Sequence, residues 1–367
     1  MLSLGGGSFI RNSNVSSKLQ GVVKTAKTNN LEGIPTSFDN SSSTEVISNY
    51  PHDIDNISSQ TATLENVETV DFDELDSGIE LNIPKGDWMF GDEAKDTHQY
   101  GGSQGRLSEA FESIYADDPK IMEIINQYYQ DVSKEDLELL FAKMDDVGCG
   151  YMAAVDTLFA AFADKSPEEF YQHFGFYPTT ERLNQGLGKN VTFYNYDYLF
   201  LDFFLYYAKK SGFTTIEDVY GNIDEVLELE SQGKEITFDE TGMDGTYENE
   251  VAKMFDDYLK ERGIDVDIIT ESEFTNNNQV FDSKTIEEHL KNGDKIVVGG
   301  ELYNLYEAND VDNNGKLDDI AYGDIDFHTV YLVGTTSDPN KVVISSWGEE
   351  YIMDISDITD FAIYSYN

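Results

Sequence analysis

The 367-residue chain has one cysteine, Cys149, which stands between two glycines in the segment 145–155, DDVGCGYMAAV. The residues after it form a run that is apolar on nearly every face, which is typical of a buried helix. A thiol at a helix N-terminus has a lowered pKa, and its thiolate is the nucleophile that acyl transfer requires. Gly148 and Gly150 would let a substrate backbone approach, because they carry no side chain. The alternative is a small, buried core cysteine.

A nucleophilic cysteine needs a base, and the chain offers five histidines. Four of them are poor candidates: His52 and His98 fall in or near a polar N-terminal part, and His173 and His289 lie in helix-like segments among charged neighbours. His328 opens a strand-like run, FHTVYLVG, directly after a loop. We therefore expect His328 to be the base, at a strand end that faces the cysteine helix. A partly exposed histidine at the mouth of a strand is the alternative.

The next strand-like run ends in Ser345-Ser346-Trp347-Gly348. A polar group on the far imidazole nitrogen fixes the tautomer and the ring orientation of a catalytic histidine, and we expect Ser345 to be that group. Trp347 is one of only two tryptophans, and its indole would shield this hydrogen bond from water. A core tryptophan that closes the sheet is the alternative.

The pattern of elements predicts an α+β fold. Apolar residues recur at helical spacing from Ile121 to Tyr128, and SKEDLELLFAKM begins with Ser133 as a capping-box residue. After Gly263 short β runs dominate, among them IDVDII, DKIVVGG, KVVISSW and FAIYSY. Helices first and strands second indicate a helical half at 105–262, with the cysteine helix packed against a C-terminal antiparallel sheet half at 263–367.

Residues 1–85 are rich in Ser, Asn, Thr and Asp and cannot bury much apolar surface. We expect a largely disordered tail, linker or pro-segment there, followed by one folded domain at 86–367.

Cys-Gly at the start of a buried helix, a histidine opening a strand and SSWG closing the next strand, in this order, resemble the papain-like cysteine peptidases. More narrowly, GCGYMAAVDTLF, PEEFYQHFGF and YNYDYL are similar to the C39-like group, as found in secreted or toxin-associated proteins of Firmicutes. The resemblance covers about residues 105–367. It implies a papain-like fold, a peptide or protein substrate, Cys149 as nucleophile, His328 as general base and acid, and Trp347 as shield.

Two positions depart from the family pattern. The family has an asparagine where Ser345 stands, and its oxyanion glutamine, six residues before the cysteine, corresponds to Lys143. The Lys143 cation would stabilise an oxyanion if it faced the site, and Gln104 and Gln127 are further candidates. Three functions therefore stay open: a cysteine peptidase, a Cys–His acyltransferase or deamidase, and a catalytically degenerate Ca²⁺-binding extracellular effector module.

The segment 310–318, DVDNNGKLD, has the spacing of oxygen ligands found in calcium loops. The expected ligands are the side chains of Asp310, Asp312, Asn314 and Asp318 and the carbonyl of Lys316. Ala321 stands where an EF-hand has its bidentate glutamate, so the loop is closer to the helix-free loops of extracellular bacterial proteins. We expect a structural Ca²⁺ just before the strand that carries His328; an acidic turn without metal is the alternative.

Charge and hydropathy restrict the partners. Lys plus Arg number 24 against 71 Asp plus Glu, a net charge of −47, which repels phosphate backbones and anionic membranes. The sequence predicts no nucleic-acid partner and no membrane insertion, and it gives no indication of oligomeric state. The N-terminus MLSLGGGSFIRNSNVSSKLQ lacks the apolar stretch of a Sec signal peptide, so we expect secretion by another route or a cytoplasmic location.

Overall fold

A computed structural model describes residues 81–82, 101–184, 189–221, 242–243, 248–277, 279–307 and 320–367. Over these ranges most helices precede the main sheet, which is antiparallel throughout, and the predicted α+β class is confirmed.

The helices begin and end close to the polar signals in the sequence. They are α1 (Arg106–Glu109), followed by a π-helical turn (Phe111–Tyr115), α2 (Pro119–Tyr128), α3 (Lys134–Val147), α4 (Cys149–Ala161), α5 (Pro167–Phe174), α6 (Tyr196–Lys210), α7 (Ile216–Tyr220), α8 (Glu248–Glu261), α9 (Glu271–Asn276) and α10 (Ser283–Lys291). The predicted capping box of α3 is confirmed, because the Asp136 N–H donates to Ser133 Oγ and the Ser133 N–H donates to the Asp136 carboxylate.

The strands are β1 (Leu81–Asn82), β2 (Thr179–Asn184), β3 (Lys189–Tyr194), β4 (Val266–Thr270), β5 (Lys295–Glu307), β6 (Ile320–Thr336), β7 (Lys341–Ser346), β8 (Glu349–Asp354) and β9 (Asp360–Tyr366). β2 and β3 form a separate hairpin. The other strands form one sheet in the order β1-β6-β7-β8-β5-β9-β4, and β5 also pairs with β6. The strands β5, β6, β7 and β8 therefore close on themselves, which leaves no free edge among these four.

Both faces of the central strands are buried. Tyr331 and Val343 pack in the core shared with the helical half, whereas their neighbours Leu332 and Ile344 pack in a second core with α9 and α10. Successive strand residues point to opposite faces, so a sheet covered on both sides needs apolar residues at every position. This explains why the strands read as continuous apolar runs in the sequence.

The cysteine helix α4 lies at the centre of the molecule. Every residue from Cys149 to Ala160 is buried, as its apolar composition predicts. Only Gly148 separates α3 from α4, and a Cβ at that position would lie 2.2 Å from the Met144 carbonyl oxygen and 2.5 Å from the Phe200 ring. Gly148 is therefore required by the tight junction between the two helices. The start of α4, and with it the thiol, is fixed by this packing.

Several parts differ from the prediction. The β2–β3 hairpin, β8 and the short α7 and α9 were not predicted, because their sequences carry polar residues without a clear period. Within the predicted 1–85 linker, Leu81 and Asn82 are described, and they form β1, paired with Thr336 and Thr335 of β6. The rest of that segment lies outside the described residues.

Candidate functional site

A narrow cleft lies between the start of α4 and strands β6 and β7, with room for about one water-sized sphere. The lining residues are Gly102 and Gln104 from the segment before α1, Cys149, Met152, Ala153 and Asp156 from α4, His328, Thr329 and Val330 from β6, and Ser345, Ser346 and Trp347 from the end of β7. The structure thus brings four of the predicted residues, Cys149, His328, Ser345 and Trp347, to one cleft. Gly148 and Gly150 are not among its lining residues, so neither forms the predicted open approach for a substrate.

His328 lies inside β6, opposite Gly300 of β5, and not at a strand end as the sequence predicts. The strand is longer than its apolar run, since it also includes the residues before Phe327. The His328 side chain is 4 % exposed. Burial lowers the pKa of His328 to about 3, because the imidazolium would lose its hydration in the cleft. The ring is therefore neutral near pH 7.

The hydroxyl that holds the imidazole belongs to Ser346 and not to Ser345. Ser346 Oγ and His328 Nε2 share a hydrogen bond of 2.8 Å. This contact engages Nε2 and not Nδ1. Ser345 faces Gly101 instead, because a Cβ on Gly101 would lie only 2.2 Å from Ser345 Oγ. The hydrogen bond to His328 that was expected from Ser345 is therefore made by the adjacent residue, Ser346.

Trp347 covers the imidazole. The indole and the His328 ring are stacked, with centroids 4.5 Å apart and an interplanar angle of 11°. Ser346 pairs with Glu349, so Trp347 and Gly348 form a two-residue turn between β7 and β8, with φ values of 49° and 80°. Such a turn needs positive φ at both positions, which is unfavourable for a bulky residue like tryptophan. The backbone therefore holds a strained residue at the point where its ring shields His328.

Gln104, a further oxyanion candidate in the sequence, lines the cleft. Its Nε2 donates to the Asp145 carbonyl oxygen at 2.6 Å, close before Cys149, and its side chain lines the cleft. An amide nitrogen has two hydrogens, so one remains for a ligand. Lys143 is fully buried on α3 and is not among the residues that line the cleft. The prediction of Lys143 as oxyanion donor does not fit this geometry.

The predicted calcium ligands at 310–318 lie outside the described residues. The two ends of the loop are described and adjacent, since Tyr306 of β5 pairs with Ile320 of β6. No group of three His, Cys, Asp or Glu side chains suited to a metal occurs in the part of the chain that the structure describes.

Two residues of the cleft were missed by sequence reasoning. Ser346 was passed over because two serines stand side by side, and only the strand geometry decides which one meets the histidine. Asp156 had a detectable signal, since it is the one charged residue in α4 and lies two helical turns after Cys149, on the same face.

No helix in the described ranges is both long and apolar enough to cross a membrane. The chain matches no protein-family model, no curated protein and no solved structure.

Proposed function

We propose that the chain is a cysteine peptidase of the papain-like type, which hydrolyses amide bonds with Cys149 as nucleophile and His328 as base. The observation that carries the proposal is the cleft itself. Its lining residues include Cys149, at the start of a buried helix, and His328, whose Nε2 is held by Ser346 and whose ring is covered by Trp347. A nucleophile, a base and a group that orients the base are the three parts that such catalysis requires.

In the first half of the reaction the thiol proton moves to His328 Nδ1 while the sulfur attacks the substrate carbonyl carbon. The carbonyl π electrons move to the oxygen, and the Cys149 N–H and the second Gln104 N–H donate hydrogen bonds to it. The C–N bond then breaks, and the imidazolium gives its proton to the leaving amine. The product of this half is a thioester on Cys149.

In the second half a water molecule attacks the thioester carbonyl and His328 accepts its proton. The C–S bond breaks, the acid leaves, and the proton returns to the sulfur. Ser346 keeps the ring in one orientation through both halves, and the Trp347 indole excludes water from the Ser346–His328 hydrogen bond. Excluding water strengthens this bond, because the local dielectric constant is low.

We further propose that residues 310–318 bind Ca²⁺, on the spacing of their oxygen ligands. Because β5 and β6 hold the loop ends together, an ion bound there would stabilise the strand that carries His328. Its part would be structural, with no contact to the reacting atoms.

The test is the reactivity of Cys149. Iodoacetamide or a peptidyl epoxysuccinate should label Cys149 of the native protein at neutral pH at least about tenfold faster than it labels the urea-unfolded chain. Cys149→Ser should remove the label and His328→Gln should slow it, with mass spectrometry as the readout. A thiol that reacts only after denaturation would show that it is a packed core residue, and the proposal would fail.

Digestion of a peptide library, with and without an added primary amine, separates hydrolysis from acyl transfer. Free carboxyl products in both reactions support the peptidase. Incorporation of the amine would indicate a transferase that uses the same cysteine and histidine.

A further inference from the structure

Asp156 is a buried carboxyl group on the helix that carries the nucleophile. Its side chain is 2 % exposed and lines the cleft together with Cys149, Met152 and Ala153. Burial raises the pKa of Asp156 well above its ordinary value. A buried carboxyl costs folding free energy unless its hydrogen bonds compensate, and an apolar residue would serve packing alone at least as well. The position of this side chain therefore calls for a reason other than stability.

The polar contact of Asp156 reaches back to the segment before α1. Its Oδ1 accepts a hydrogen bond of 2.8 Å from the Gly102 N–H. The backbone here lies directly on α4 and β7: a Cβ on Gly102 would be 2.1 Å from Met152 Sδ, and one on Gly101 would be 3.1 Å from Asp156 Oδ2. Glycine is favoured at Gly101, which has a φ of +85°, and a side chain at Gly102 would require Met152 to move.

This segment ends at Gln104, two residues after the anchored amide. Gln104 is held from one side by its bond to the Asp145 carbonyl, and its backbone is held through Gly102. The two contacts together restrain the position of Gln104 in the cleft that Cys149 also lines. Without the bond at Gly102, the segment would be tied to α4 by packing contacts alone.

We propose that Asp156 is a positioning residue: by accepting the Gly102 N–H it holds the Gly101–Gln104 segment against α4 and so places the Gln104 amide beside Cys149. This inference rests on the proposed function, in which Gln104 stabilises the oxyanion. Asp156 itself does not contact the substrate in this role. Its effect belongs to the transition state, since the oxyanion forms only there.

The test compares Asp156→Asn, which keeps an acceptor oxygen, with Asp156→Leu, which is also branched at Cγ but is larger and has no acceptor. Hydrogen exchange of the Gly102 amide should be about tenfold faster in Asp156→Leu and unchanged in Asp156→Asn. In peptide hydrolysis Asp156→Leu should lower kcat about tenfold or more, with KM within about twofold, because ground-state binding is preserved. The rate of Cys149 alkylation by iodoacetamide should stay the same, since displacement of iodide forms no oxyanion.

A double-mutant cycle with Gln104→Ala identifies the route. If Asp156 acts through Gln104, Asp156→Leu has no further effect on kcat once Gln104 is alanine. Additive losses would overturn that route, and equal losses in Asp156→Asn and Asp156→Leu would overturn the acceptor role. If Asp156→Leu does not fold, Asp156→Ala replaces it with the same expected results.

The two proposals fail in different ways. Unchanged Gly102 exchange in the leucine variant refutes the anchoring by Asp156, even in an enzyme whose Cys149 is fully reactive. An unreactive Cys149 in the wild type refutes the proposed function, and Gly102 exchange then still shows whether Asp156 holds the segment.

Discussion

Replacing His328 by glutamine should remove a pH dependence of folding stability from the wild-type protein. An imidazole in an unfolded chain has a pKa near 6.5, whereas burial lowers the pKa of His328 to about 3 in the folded state. Below pH 6.5 the unfolded chain therefore binds a proton that the folded protein does not bind. The stability that the neutral ring contributes is complete above the unfolded pKa and is lost as pH falls from about 6.5 towards 3.

The size of the effect follows from the linkage relation. Each pH unit inside this window costs about 1.4 kcal/mol of unfolding free energy, so the wild type should lose about 2 kcal/mol from this one residue between pH 7 and pH 5. The buried ring is 4 % exposed, so the imidazolium gains little compensation from solvent.

The assay is urea unfolding of the wild type and His328→Gln at pH 7, 6 and 5, followed by circular dichroism. The 71 Asp and Glu residues titrate in both proteins, and their contribution cancels in the difference between the two unfolding free energies. Glutamine carries an amide that can still bond to Ser346 and does not titrate. The difference should shrink by about 2 kcal/mol from pH 7 to pH 5. Parallel pH profiles would show that His328 is solvated or already charged, and the description of a buried, neutral imidazole would be wrong.

Three more outcomes are expected. Ser346→Ala should lower kcat by about ten- to a hundredfold, because it releases the imidazole. Ser345→Ala, the matched control, should lower kcat less. A larger loss of kcat in Ser345→Ala than in Ser346→Ala would restore the original assignment of Ser345. Gly148→Ala should destabilise the fold by about 2–3 kcal/mol, because the new Cβ clashes with α3. Gly175→Ala should cost only about 1 kcal/mol, because its Cβ meets open space and only the left-handed backbone is strained. Millimolar Ca²⁺ should raise both the melting temperature and the rate of Cys149 alkylation relative to EDTA, and Asp312→Ala should abolish the difference. Equal values with Ca²⁺ and EDTA in the wild type would contradict the calcium proposal.

Local patterns were sufficient to predict the α+β class and many of its helices and strands. The helix at Cys149, the capping box at Ser133 and the strand runs at 294–300 and 341–347 depend on residues that are neighbours in the chain. Their periodicity and caps are visible without tertiary contacts. The short hairpin β2–β3 and strand β8 were missed for the opposite reason, since their pairing partners and not their composition define them.

The sequence alone predicted the class of fold and the position of the cysteine at the start of a buried helix, and it pointed to Cys149 and His328 as the candidate nucleophile and base. The tertiary structure decided which neighbours lie in the cleft: Ser346 bonds to His328 in place of Ser345, and Gln104 lines the cleft where Lys143 does not. The physical reason is that these contacts join segments far apart in the chain. Strand orientation and the turn at Trp347 select one serine of an adjacent pair, and the Gly101–Gly102 backbone brings Gln104 to the cleft that Cys149 also lines, although no local pattern connects the two.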